Sequence, residues 1–108
     1  MKRLIDYTIS DLPRGAVLRF PATWPYEDFV DALLVSLPDD NTGHTLVIAT
    51  GHKAGLVLIH LPKECECQQS RSVSKQWLID NWSKWVYPEC RAEDVYILEH
   101  YAPPLPPE

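Results

Sequence analysis

The chain has 108 residues, 45% of them hydrophobic and 23% charged, which is the size and composition of one folded domain and excludes disorder over most of its length. Fifteen acidic residues against ten basic ones leave a formal charge of −5, which disfavours binding to nucleic acid phosphates and tilts toward a basic partner. Cys65, Cys67 and Cys90 are an odd number, better suited to reduced thiols than to a secreted disulfide framework. With no apolar core after Met1-Lys2-Arg3 and no apolar run of membrane-spanning length, the expectation is a cytoplasmic protein without a membrane partner.

Residues 1–14 read as a first strand or an irregular arm, closed by a turn at Pro13 to Gly15. Ala16 to Phe20 is a short strand that Pro21 should stop, because proline cannot donate to a ladder. Trp24 to Asp28 resembles a helix start, with Pro25 at a tolerated position and acids near the positive end of the dipole. From residue 26 to residue 37 the apolar residues fit both periods: Tyr26, Phe29, Val30, Leu33, Leu34 and Leu37 at helical spacing, Leu33, Val35 and Leu37 as one face of a strand. The reading adopted is a helical turn followed by a strand.

Asp39 to Gly43 is a turn, His44 to Thr50 a β-branched strand, Gly51 to Gly55 a second turn and Leu56 to Leu61 a further strand, making a meander. Residues 63–71 lack periodicity and read as an exposed loop. Ser72 or Ser74 caps a helix whose apolar stripe is Leu78, Trp82, Trp85 and Val86, ending before Pro88. Asp94 to Tyr101 alternates as a strand, placed at the periphery, and residues 102–108 form a polyproline-like tail. The expected architecture is α+β: a mainly antiparallel sheet of about five strands with a central meander, packed with one long helix, residues 1–101 forming a single domain.

The chemistry-bearing residues do not assemble into a recognisable active site. Cys65 and Cys67 with distant Cys90 lack the paired knuckles of structural zinc, and the neighbouring glutamates raise thiol pKa values, so solvated loop thiols are expected and no metal. His44, His52, His60 and His100 fall at strand ends or turns without a nucleophile motif and read as surface or rim histidines. Gly51 to Gly55 lacks both P-loop spacing and a following helix, so no cofactor is expected either.

The candidate partner-binding residues are aromatic and acidic. Trp24 and Tyr26 beside Glu27 and Asp28 have the composition of a hot spot against a basic protein, with Glu64 and Glu66 as further acidic contacts. Trp77 lies at the edge of the helix stripe, where partial exposure would suit it as an anchor. Core packing is the competing role for each of these aromatics.

Three stretches, RGAVLRFPATWPYED, GHKAGLVLIHLPKE and SKQWLIDNWSKWVYPEC, resemble the immunity protein 45 family of bacterial polymorphic-toxin systems. The most specific part is the tryptophan spacing of residues 77–88, together with the turn Lys53 to Leu56. The resemblance implies a small α+β protein, encoded beside a toxin, that binds the toxin in the producer's cytoplasm and blocks it without catalysis. From the residues alone, an adaptor working through a sheet edge or the proline-rich tail, and a small enzyme using a histidine and a carboxylate, stand as the alternatives.

Overall fold

The structure, a computed structural model, describes residues 1–36, 43–67, 71–101 and 106. It is α+β, as expected. Strands β1 (Lys2–Arg3), β2 (Asp11–Leu12), β3 (Val17–Pro21), β4 (Phe29–Ser36), β5 (His44–Ile48), β6 (Val57–Leu61), β7 (Val73–Ser74) and β8 (Tyr96–Leu98) form two sheets. The larger is antiparallel throughout, in the order β1-β8-β3-β4-β5-β6, and β2 pairs with β7 in a small second sheet. The meander is present as β3 to β6, each strand pairing with the next.

One face of the large sheet supplies Leu18, Phe20, Val30, Ala32, Leu34, Leu46, Ile48 and Ile97 to the core. The helix α1 (Lys75–Asn81) contributes Leu78, and a π-helical turn, Trp82–Val86, continues it with Trp82 and Val86. Ser74 is the N-cap: its hydroxyl accepts a hydrogen bond from the backbone N–H of Trp77 at 3.2 Å, satisfying one of the donors a helix start leaves open. Trp82 is fully buried, edge-on to Phe20 with ring centroids 5.3 Å apart, and its indole N–H donates to Cys90 Sγ at 3.2 Å.

Four expectations need correction. Residues 22–28 are a turn rather than a helix start: Ala22 N–H donates to the Asp28 carbonyl at 2.8 Å and Tyr26 N–H to the Thr23 carbonyl at 2.9 Å, and β4 begins directly at Phe29. The helical spacing there arises because β4 carries apolar residues on both faces, Val30, Ala32 and Leu34 inward and Phe29, Leu33 and Val35 outward, which blurs a period of two into one resembling 3.6. β8 is interior rather than peripheral, flanked by β3 and by the two-residue β1, a strand too short to show any period. Trp85 leaves the apolar stripe and is 37% exposed, because the bond from Tyr87 N–H to the Trp82 carbonyl, 3.1 Å, closes an i→i+5 turn that displaces position 85 while Val86 stays buried.

The fourth correction concerns residues 63–71. Lys63–Cys65 is a 3-10 turn and Glu66 bridges to Val73, which carries Cys65 into the core instead of leaving it in a solvated loop. The turn at Asp39 to Thr42, residues 68–70 of the connection, and residues 102–105, 107 and 108 of the tail lie outside the described residues.

Candidate partner-binding surface

The turn that holds Trp24 is built on the far end of the helical segment. Tyr87 accepts a hydrogen bond at its phenolic oxygen from Thr23 N–H, 3.1 Å, and the Thr23 hydroxyl donates to Glu89. Tyr26 packs edge-on to Tyr87 with centroids 6.0 Å apart, and Lys53 Nζ lies 5.7 Å from the centre of the Tyr26 ring. Fixed at its base in this way, the turn projects Trp24 into solvent: the side chain is 90% exposed, with exposed Asp28 four residues on.

Glu27 is turned inward instead. It is half-buried, its carboxylate lies over Gly51, and Oε2 has no hydrogen-bond partner among the described residues. Gly51 has φ of +73°, which strains any residue with a side chain, and a methyl group there would also push the Glu27 carboxylate aside.

The remaining residues singled out from the sequence lie elsewhere. Glu64 and Glu66 are exposed and follow β6, whose last residue Leu61 pairs with His44 at the start of β5, which in turn pairs with Ser36 at the end of β4. The Trp24 turn precedes the opposite end of β4, so the two acidic groups are separated by the strand's length, about 23 Å for eight residues. Trp77 is half-buried on α1, its ring 6.1 Å from that of Trp85. The Trp24 turn thus holds four of the seven residues, Trp24, Tyr26, Glu27 and Asp28, while Glu64 and Glu66 lie toward the other end of β4 and Trp77 lies on α1.

His44 is buried, contrary to its expected place at the rim, because inward-facing position 44 of β5 sits beneath the turn that carries Glu66. Its Nε2 is 2.9 Å from Glu66 Oε2, and its Nδ1 has no partner among the described residues. His52, His60 and His100 are exposed, and His60 Nδ1 meets the Thr45 hydroxyl at 2.9 Å. Among the described residues no group of three or more His, Cys, Asp and Glu side chains is placed to hold a metal ion, and no helix is long and apolar enough to cross a membrane.

Burial pushes the Cys65 thiol up to about 12, with Glu66 and Glu64 adding to the effect. Cys90 is raised too, chiefly by burial, while the Trp82 indole N–H opposes the shift. In the folded protein near pH 8, iodoacetamide is therefore expected to label half-buried Cys67 and to spare Cys65 and Cys90, with all three labelled in denaturant. Rapid labelling of Cys65 under native conditions, read by peptide mass spectrometry, would contradict its placement. The same shift gives a sign to the pH dependence of stability: above about pH 9 the thiol ionises in the unfolded chain while the folded chain keeps its proton. The unfolded state then binds fewer protons, so the contribution of Cys65 to stability falls as pH rises from about 9 toward about 12.

Reasoning from the sequence misses the outward face of the large sheet. There β3 brings Arg19 opposite both Asp31 on β4 and Tyr96 on β8. Arg19 donates from Nε to Asp31 Oδ1 at 2.7 Å and from a terminal nitrogen to Oδ2 at 2.9 Å, a two-point pairing that fixes the guanidinium. Asp31 N–H donates to the Thr50 hydroxyl oxygen at 3.1 Å. Met1, Phe29, Thr50 and Tyr96 stand around this pair and enclose an open groove of about 510 Å³. The signal available in the sequence was the outward parity shared by Phe29, Asp31 and Leu33, which becomes visible once residues 29–36 are read as a strand from their first residue.

Searches of characterised proteins and of solved structures return no match to this chain. Residues 4–97, nearly the whole described fold from the first core residue Leu4 to Ile97 of β8, match the family immunity protein 45. The match takes in every strand of the meander, the helix with its π turn and the Trp24 turn, and the chain belongs to the immunity protein 45 family.

Proposed function

We propose that the protein binds a cognate bacterial toxin by direct contact in the cytoplasm of the producing cell and neutralises it stoichiometrically, with no chemistry of its own. Membership of an immunity protein family supports a toxin partner in general. The observation that carries the reading to a place on the molecule is Trp24, a tryptophan 90% exposed on a turn whose base is fixed by Tyr87 and Glu89. An aromatic residue left in water yet held on a prepared turn loses little conformational freedom when a partner covers it, the property that makes tryptophan a common interface anchor.

Asp28 beside it, in a chain of charge −5, favours approach of a cationic surface and speeds encounter more than it strengthens the final complex. Trp77, Glu64 and Glu66 lie outside the Trp24 turn and are assigned no first contact. The test is growth of cells expressing the toxin encoded next to this gene, with and without this protein, paired with isolation of the complex. Restored growth with a stoichiometric complex is expected. Restored growth without a complex would overturn direct neutralisation, and failure of both would remove the toxin-binding reading.

A further inference from the structure

The groove on the outward face is chemically different from the Trp24 turn. Its walls are apolar: Phe29 is 56% exposed, and Met1 and Tyr96 are exposed beside it. Its floor is a charge-balanced pair, since Asp31 takes Nε and one terminal nitrogen of Arg19 while the guanidinium's other N–H donors have no partner among the described residues. The polar capacity left over on the floor is therefore donor capacity, carried by a cation whose charge is already matched.

That balance selects among occupants. A cationic side chain would bring a second positive charge against Arg19, and an anionic one would face Asp31 across the same small floor. A neutral acceptor meets neither penalty and satisfies the free guanidinium donors, while a large apolar side chain covers Phe29 and Tyr96 and removes them from water. The groove is open along the surface rather than closed around a small molecule, and Phe29 pairs with Pro21, the residue at which β3 leads into the Trp24 turn. The two features are thus neighbours on one end of the molecule.

We propose that the groove over Arg19 and Asp31 docks an uncharged segment of the toxin, one large apolar side chain seated between Phe29 and Tyr96 with a main-chain carbonyl accepting from Arg19. This rests on the toxin-binding reading above and assigns that partner a second, apolar point of contact. Arg19 acts here as a fixed donor and not as a free charge.

The experiment measures the affinity of the purified toxin domain encoded beside the gene for the full-length chain and for Phe29→Ala, Phe29→Glu, Phe29→Lys, Tyr96→Ala and Ile9→Ala. Ile9 is a comparably exposed apolar residue outside the groove. Thermal melts of each variant select those that fold, and Tyr96→Ala serves if position 29 proves sensitive. The four groove variants are expected to weaken binding at least about tenfold, with the Glu and Lys versions within about threefold of each other, and Ile9→Ala to keep the native affinity. Unchanged affinity in folded Phe29→Ala and Tyr96→Ala overturns the groove while leaving toxin binding intact. Tightening by one sign of charge at position 29 overturns the uncharged occupant. A native chain that does not bind the toxin removes this inference together with the reading it rests on.

Discussion

Replacing Trp82 by alanine is expected to cost about 3–5 kcal/mol of stability, the largest effect of any single truncation in this core. The side chain is the largest of the fully buried ones, and it joins three parts of the fold: the π turn that carries it, Phe20 on β3, and Cys90 in the segment leading to β8. Removal leaves a cavity beneath the sheet and deprives Cys90 of the indole donor. Against a total of about 5–15 kcal/mol for a domain this size, the loss is about a fifth or more of the whole, and the melting temperature should fall by at least about 12 °C. Trp82→Phe keeps most of the volume and should cost clearly less. Denaturant titration of the two variants measures both, and a loss below about 1.5 kcal/mol for Trp82→Ala would mean that the core closes around the gap.

Trp82 was legible from sequence as a core residue because it lies four positions after Leu78 on an amphipathic helix, and the residues of β3, β5 and β6 were legible because turn signals bound short apolar runs. What escaped was structure that leaves no period. The strands β1, β2 and β7 have two residues each and exist through their partners, so the interior place of β8 could not be read without β1. Trp85 escaped for a related reason: its exposure depends on one i→i+5 bond, and nothing in WSKWV distinguishes a π turn from a third turn of α-helix.

The site divides along the same line. The aromatic and acidic residues 24–28 are contiguous, so composition alone singled them out, although it did not separate outward Trp24 from Glu27 folded over Gly51. The groove draws on residues 1, 19, 29, 31, 50 and 96, which only strand register brings together. Its Arg19 and Asp31 stand twelve positions apart and face each other because β3 and β4 pair in one register; a slip of β4 by one residue would turn Asp31 to the core face and break the pair.

Trp24→Ala is expected to weaken toxin binding by about 2 kcal/mol or more, roughly thirtyfold, without moving the melting temperature. A side chain 90% exposed contributes little to the folded state, so its removal should be silent in a thermal melt of the free protein. Covering the indole takes about 200 Å² from water, for which about 25 cal/mol per Å² sets a ceiling near 5 kcal/mol before ordering and desolvation are subtracted. The hydrogen bonds from Thr23 to Tyr87 and Glu89 lower that ordering cost, because the turn is already held where the partner meets it. Trp85→Ala is the informative comparison, since Trp85 is the other exposed tryptophan and lies with Trp77 on the helical layer. Affinity lost in Trp24→Ala and kept in Trp85→Ala places the toxin on the Trp24 turn; the reverse pattern would move it to the helix and leave the exposure of Trp24 without a role in binding.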